Sequence, residues 1–320
     1  MEVDIKKLKF LMLFCLFGSM LLAAQKTTKA VKNEYDLKFN PNKYISKQIE
    51  VNGKKVKYRA YENIVYVKKP VDKEYQNMNI YIPEEYFKNS SIGNYNSTNA
   101  PIFFPNTVGL GRNGKANSLS YALSKGYVVA APGARGKTLK DKNGNYTGKA
   151  PAAIVDLKAA VKYLYFNDEI MPGDANKIIS NGTSAGGALS ALLGATGNSE
   201  DYLPYLTELG AADTRDDIFA VSAYCPITNL ENADSAYEWM YNGANSYTRM
   251  EITRNTSSQE YNDRNLTRST VQGTLTEDEI RISNRLKNMF PSYLNNLKLK
   301  DDSRRKRYQW IQKSFHYWKW

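Results

Sequence analysis

From about residue 47, the pattern of hydrophobic and polar positions changes from a uniformly polar stretch to short apolar runs separated by turns. Gln48–Val51 and Lys55–Ala60 flank Asn52-Gly53, and this dipeptide favours the two-residue turn of a β-hairpin. The same pattern predicts six further strands, at residues 64–67, 78–82, 101–104, 127–131, 177–181 and 218–224. Runs such as Tyr127–Ala131 are apolar throughout, which is typical of strands buried on both faces in a parallel sheet.

Helical spacing of apolar residues appears between these strands. The clearest helix is predicted from Pro151 to Phe166, with shorter ones over residues 118–124 and 187–194. Alternating strands and helices predict an α/β fold with a mostly parallel, doubly wound sheet. After about Asn232 the chain becomes polar, rich in Asn and Tyr and mostly helical in propensity, most clearly over Glu277–Phe290. We interpret that region as an inserted cap.

The N-terminal segment reads as a targeting signal. Three lysines precede an apolar run that ends in Ala23-Ala24, so residues 1–24 are predicted to be a secretory signal peptide cleaved after Ala24. A retained anchor and lipidation at Cys15 are the alternatives. Residues 25–45 form a polar spacer. The prediction is a secreted, periplasmic or cell-envelope protein without a stable membrane span after cleavage.

Composition and charge narrow the function classes. The 320 residues suffice for a large core, and the net charge is +12, of which residues 303–320 contribute six positive charges. The excess basicity belongs mainly to that tail, so no nucleic-acid partner is expected. With Cys15 in the leader, Cys225 is the one cysteine of the mature chain, which excludes an internal disulfide and a Cys-rich metal site. No cofactor or metal is predicted, and the oligomeric state stays open.

The chemistry-bearing motif is Gly182-Thr-Ser184-Ala-Gly186, a G-x-S-x-G sequence between a short strand and a small-residue helix. In that context the serine lies on a sharp turn that exposes its hydroxyl, and the glycines let strand and helix pass closely. We therefore predict that Ser184 is a nucleophile. The backbone N–H of Ala185, with that of Val108 or Gly109 in the glycine-containing loop after the 101–104 strand, would form the oxyanion hole.

For three further residues, Arg135, Asp156 and Cys225, the sequence gives less specific indications of their roles. Arg135 follows a buried strand and either lines the site or is a solvated turn residue, the latter being favoured because most arginines are exposed. Asp156 is expected to pair locally, and Cys225 to be a small core residue.

The acid and histidine of a triad should follow later strands, but we find no further parallel strand after residue 224. The sole histidine, His316, lies in the basic, aromatic tail and is a poor candidate base.

Several segments together resemble the bacterial tannases, within the tannase/feruloyl esterase group of α/β-hydrolases. They are Pro105–Gly109, Gly133–Gly136, Ala150–Ala160, Ile179–Ala191 and Tyr224–Asp234. The resemblance covers roughly residues 45–300 and implies an α/β-hydrolase core at 46–231, the start of a lid insertion at 232–302 and a divergent tail at 303–320. It also implies that the triad Asp and His, the last strands and the phenol-binding lid residues lie further downstream than this chain extends.

The resemblance implies a secreted serine esterase that acts on small phenolic esters of galloyl or feruloyl type through an acyl-enzyme on Ser184. Without the downstream acid and base, this chain alone is expected to be weak or inactive. The alternatives are a non-catalytic remnant with an unpaired sheet edge, a sugar-ester esterase or peptidase of the same fold, and a basic envelope- or nucleic-acid-binding protein that rests only on the tail.

Overall fold

A computed structural model describes residues 34–106, 118–254 and 266–298. The predicted signal peptide, the oxyanion candidates Val108 and Gly109, and His316 lie outside these ranges. The described residues form two compact units. The first takes the residues up to Gly182 together with Leu189–Ser222, and the second takes Thr183–Ala188 together with the residues from Ala223 onward.

A seven-stranded sheet dominates the first unit. Its strands lie in the order β1-β2-β3-β5-β4-β6-β7. Their bounds are β1 Ile45–Val51, β2 Lys54–Val65, β3 Asn77–Pro83, β4 Pro101–Asn106, β5 Val128–Pro132, β6 Asp174–Thr183 and β7 Ala220–Tyr224.

The sheet is mixed: its parallel strands are β5, β4 and β6, and its antiparallel strands lie on the other side of β5. Strand β4 pairs in parallel with β5 on one side and β6 on the other, as the apolar runs predicted. Antiparallel pairing joins β1 to β2, β2 to β3 and β3 to β5. The predicted hairpin is confirmed: Val51 pairs with Lys54, and Asn52 and Gly53 both have positive φ. The separate strand predicted at 64–67 is instead the end of β2, joined to it across a bulge.

Helices follow the central strands, as expected for the α/β-hydrolase fold. Their bounds in the order of the chain are α1 Leu119–Ser124, α2 Ala152–Phe166, α3 Ala185–Ala195 and α4 Leu203–Leu209, with short 3-10 helices at Glu84–Lys88 and Glu200–Tyr202. Helix α2 is buried along nearly its whole length, and its apolar residues join the main hydrophobic core with those of the central strands. Burial on almost all sides makes α2 a core helix rather than a surface helix.

The second unit contains more strand than the sequence pattern indicated. After α5 (Ala233–Tyr241), strands β8 (Ser246–Arg254) and β9 (Leu266–Thr274) form an antiparallel hairpin, followed by α6 (Glu277–Asn296). The prediction of mostly helical structure was wrong for residues 246–254 and 266–274, because cross-strand pairing stabilises segments rich in β-branched Thr, Ile and Val. Helix α6 begins with a capping box in which Thr276 and Glu279 bond reciprocally to each other's backbone N–H.

Strand β7 is the last strand of the sheet within the described ranges. Phe219, just before it, is 68% exposed and Val221 is 40% exposed. Such apolar exposure at a sheet edge is uncommon in a monomeric protein. In the described part of the chain, no helix combines the length and hydrophobicity that a membrane crossing requires.

Candidate active site at the Ser184 turn

Ser184 occupies a one-residue turn between strand β6 and helix α3. Its backbone φ is 58°, in the left-handed region that non-glycine residues seldom adopt. A strained residue between a strand and a helix is the geometry by which G-x-S-x-G motifs expose a serine hydroxyl. Ser184 is solvent-exposed accordingly. The predicted nucleophile therefore has the backbone conformation that its proposed chemistry requires.

Backbone hydrogen bonds hold the turn on both sides. The Ser184 N–H donates to the Tyr224 carbonyl at 2.9 Å, and the Ala188 N–H donates to the Ser184 carbonyl at 2.9 Å. The latter is the first i to i+4 bond of α3, so the N–H groups of the preceding residues, that of Ala185 included, belong to the helix N-terminus. Those N–H groups and the helix dipole favour negative charge beside the serine. The arrangement can stabilise an oxyanion.

Small residues make this strand–helix connection possible. Gly186, Gly187 and Ala188 are buried in the first turn of α3. Further along the helix, a Cβ on Gly194 would lie 2.4 Å from Cγ2 of Val221 on β7. Helix α3 thus packs against the sheet at a distance that only a glycine permits at this position.

Two asparagines tie the strands together just before the turn. Asn106, the last residue of β4, donates to the Ser180 hydroxyl of β6 and to the Ser190 hydroxyl of α3, each at 2.8 Å. Asn181 donates to the Ser222 hydroxyl of β7 at 3.2 Å. The carboxyl end of the sheet is therefore cross-linked by side chains as well as by its backbone ladder.

Arg135 is buried and does not lie on a solvated turn. Its guanidinium and its backbone N–H both donate to Asp156, with the closest contacts at 2.8 Å, and its Nη1 donates to the Thr147 carbonyl. Gln76 donates to the same carboxylate at 2.8 Å. The favoured interpretation of Arg135 as exposed was wrong, because the carboxylate on α2 compensates its charge. Asp156 forms an ion pair, but the expectation that it pairs locally was wrong, because its partners Arg135 and Gln76 lie 21 and 80 residues away in the chain.

Burial and hydrogen bonding shift the pKa values of Asp156 and Arg135 in opposite directions. Burial raises the pKa of the Asp156 carboxyl, while the hydrogen bonds from Arg135 and Gln76 oppose that shift. Burial lowers the pKa of the Arg135 guanidinium, but its bonds to Asp156 outweigh that effect and raise the pKa overall. The pair fixes the segment after β5 to α2.

Of the remaining residues that the sequence analysis singled out, the structure describes Cys225 but not Val108, Gly109 and His316. Cys225 is exposed, with φ of 45°, so its prediction as a core residue was wrong: it directly follows β7, where the edge of the sheet is open. Val108, Gly109 and His316 lie outside the described residues, and their roles stay predictions. Across the described ranges, no three His, Cys, Asp or Glu side chains are grouped in a way that could hold a metal ion.

The side-chain hydrogen bonds that join β4 to β6 and α3 near the Ser184 turn were not identified from the sequence. Asn106 and Ser180 are 6% and 0% exposed, although both are polar. In the sequence, Asn106 is a polar residue just after the apolar run 101–104, and Ser180 is a polar residue inside the predicted strand 177–181. Each of them lies close to a candidate loop. Buried polar residues in that setting bond to each other, but their pairing across 74 residues cannot be deduced from spacing.

Comparisons with known proteins agree with this geometry. A family model described as BD-FAE matches residues 111–269. The crystal structure of Fusobacterium nucleatum tannase is similar at 80% sequence identity and a TM-score of 0.66, covering 84% of this chain and 59% of that chain. The crystal structure of tannase from Lactobacillus plantarum is similar at 44% identity and a TM-score of 0.67, with coverage of 84% and 59%.

A third similar structure, a tannin acyl hydrolase in complex with ethyl gallate, has 44% identity and a TM-score of 0.65 and covers 86% of this chain and 59% of that one. No curated protein matches. The chain thus spans about three fifths of the length of each of these structures. High identity, the α/β-hydrolase sheet and the strained serine turn agree, and over 84% of its length the chain is similar to the tannases.

Proposed function

We propose that this chain carries the nucleophile of a serine esterase that hydrolyses phenolic carboxylic esters of galloyl or feruloyl type. The observation that carries the proposal is the exposed Ser184 at φ 58° between β6 and the N-terminus of α3. The ethyl gallate found with a similar tannin acyl hydrolase supports the substrate class. Ethyl gallate is a small phenolic ester, so the reacting group is an acyl carbon.

The proposed reaction has two stages. The Ser184 hydroxyl attacks the ester carbonyl and transfers its proton to a base, and the negative charge on the carbonyl oxygen is stabilised by the N–H of Ala185 with that of Val108 or Gly109. The alcohol then leaves and an acyl-enzyme remains on Ser184. Water attacks this ester and releases the phenolic acid, which regenerates the serine.

General-base catalysis is the weakest part of the reaction in this chain. The sequence contains one histidine, His316, and it lies in the basic, aromatic tail. A serine esterase that lacks its base retains only the catalysis from the oxyanion hole and binding, about 10³- to 10⁴-fold over water. We expect the 320-residue chain by itself to turn over esters far more slowly than the ~1–10³ s⁻¹ of typical enzymes.

Organisation and location form part of the proposal. Residues 46–231 would be the hydrolase core, 232–302 the beginning of a lid and 303–320 a divergent tail. Residues 1–24 would direct secretion or export to the cell envelope. Expression of the full chain with its leader, followed by N-terminal sequencing of the exported protein, tests this. A mature N-terminus at Gln25 is expected, whereas an uncleaved or lipidated product would support the alternatives.

Hydrolysis of methyl gallate by the purified chain tests the catalytic assignment. Intact-mass spectrometry during this hydrolysis should detect an acyl adduct on the chain and none on Ser184→Ala, because no other group is proposed to form the acyl-enzyme. The matched control is Ser124→Ala, whose hydroxyl bonds to a backbone carbonyl on α1 and should leave the rate unchanged. An acyl adduct that forms equally on the chain and on Ser184→Ala would refute the nucleophile, and rates typical of intact enzymes would refute the predicted weakness.

Parallel assays separate the substrate classes. Methyl gallate and methyl ferulate should be hydrolysed in preference to an acetylated sugar and a peptide anilide. Preference for the sugar ester or the anilide would favour the alternative activities of the same fold.

A further inference from the structure

The buried Asn106 side chain connects the two elements that flank Ser184. Its amide nitrogen donates to Ser180 Oγ and Ser190 Oγ, each at 2.8 Å. Ser180 lies four residues before Ser184 on β6, and Ser190 lies six residues after it on α3. The two N–H groups of one carboxamide diverge, so a single asparagine can bond to a strand and a helix at once.

The backbone of Asn106 strengthens this connection. Asn106 pairs with Gly182 in the parallel β4–β6 ladder, two residues before Ser184. It is also the last residue of β4 and directly precedes the segment that contains the oxyanion candidates Val108 and Gly109. The same residue therefore sets where β4 ends relative to the strand and the helix that carry the nucleophile.

Stability of the core does not explain why position 106 is an asparagine. Asn106 is 6% exposed, and within the described residues its side-chain oxygen is buried without a hydrogen-bond donor. A buried carbonyl oxygen without a partner lowers stability, and an apolar side chain of similar size would avoid that loss. Residues that reduce stability in this way are concentrated at functional sites.

We propose that Asn106 is a positioning residue for the reaction at Ser184. Its amide holds the end of β4 against Ser180 of β6 and Ser190 of α3, and so fixes the strand before Ser184 and the helix after it. It does not touch the reacting atoms. This inference rests on the proposed function, because positioning matters only if Ser184 reacts.

Phosphonylation of Ser184 in the full chain measures the effect without requiring turnover. An alkyl fluorophosphonate forms a bond between Ser184 Oγ and phosphorus, fluoride leaves, and the serine proton goes to solvent. Intact-mass spectrometry at several reagent concentrations gives the limiting rate and the half-saturating concentration. Asn106→Leu should lower the limiting rate by ~10- to 100-fold, since a displacement of about 1 Å can cost ~10²-fold. The half-saturating concentration should change by less than about threefold, because the reagent's own contacts are retained.

Two further sets of variants separate positioning from stability. The Ser180→Ala/Ser190→Ala pair should lower the limiting rate as Asn106→Leu does, and adding Asn106→Leu to that pair should have little further effect. Asn167→Ala is the matched control: Asn167 is 1% exposed and bonds to Phe39 N–H and to the Leu37 and Tyr163 carbonyls, away from the turn. It should lower Tm and leave the limiting rate unchanged.

The outcomes distinguish this inference from the proposed function. Equal labelling of the chain and Ser184→Ala would overturn the proposed function, and the inference with it. Ser184-dependent labelling that Asn106→Leu leaves unchanged would overturn the inference alone. Rates that fall in proportion to the loss of Tm in both Asn106→Leu and Asn167→Ala would also overturn it, because the effect would then be structural. If Asn106→Leu does not fold, the paired serine variant decides by the same criteria.

Discussion

Replacing Arg135 with methionine would leave the Asp156 carboxylate buried without its counter-charge. The Asp156 side chain is 0% exposed and that of Arg135 is 9% exposed, so water cannot take the place of the guanidinium. Only the Gln76 amide and the backbone N–H of residue 135 would still donate to the carboxylate. Removing one partner of a buried ion pair costs about 3–5 kcal/mol. A typical domain has a net stability of about 5–15 kcal/mol, so this loss would be a large part of the total.

Urea unfolding followed by circular dichroism measures this loss at constant m value. Arg281→Met is the matched control, since the Arg281–Asp278 pair is 77% and 75% exposed and its loss should change stability by no more than about 0.5 kcal/mol. The Arg135→Met/Asp156→Leu double variant should recover much of the stability, because replacing both partners of a buried pair with apolar groups removes the uncompensated charge.

Two results would contradict the reasoning. A loss below about 1 kcal/mol in Arg135→Met, with m unchanged, would mean that the carboxylate does not depend on the guanidinium. A double variant no more stable than Arg135→Met would mean that lost packing of the arginine stem, rather than uncompensated charge, causes the effect.

Three further predictions concern packing and titration. Gly148→Ala would place a Cβ 2.0 Å from the Gly136 carbonyl oxygen and should lower the free energy of unfolding by about 1–3 kcal/mol in urea titrations; an unchanged midpoint would contradict the close approach. Gly194→Ala should lower Tm despite alanine's helix propensity, and Val221→Ala in the same chain should restore Tm by removing the clashing methyl. Burial raises the pKa of Tyr81 from 10.0 to about 12, so the stability that its neutral phenol contributes is complete below pH 10 and is lost as pH rises towards 12. In alkaline denaturation with phenolate absorbance as the titration signal, the difference in stability between wild type and Tyr81→Phe should change within that window, by up to about 3 kcal/mol, and stay constant below it.

Local signals determined much of the fold. Asn52-Gly53 determined the β1–β2 turn, because two successive residues with positive φ suit Asn and Gly. The apolar runs determined β4 and β5 at the centre of the sheet, and the G-x-S-x-G motif predicted the position of the Ser184 turn. Each of these features depends on the conformational preference or the burial of a few consecutive residues.

Pairing between distant segments was decided only by the tertiary structure. The β8–β9 hairpin looks polar and helical in sequence, and it becomes a hairpin through cross-strand pairs. Arg135 resembles a surface arginine until α2 brings Asp156 to it, and Asn106 resembles a loop residue until β6 and α3 supply Ser180 and Ser190. A buried polar side chain is stable only with its partners, and folding brings together partners that lie 21 to 84 residues apart in the chain.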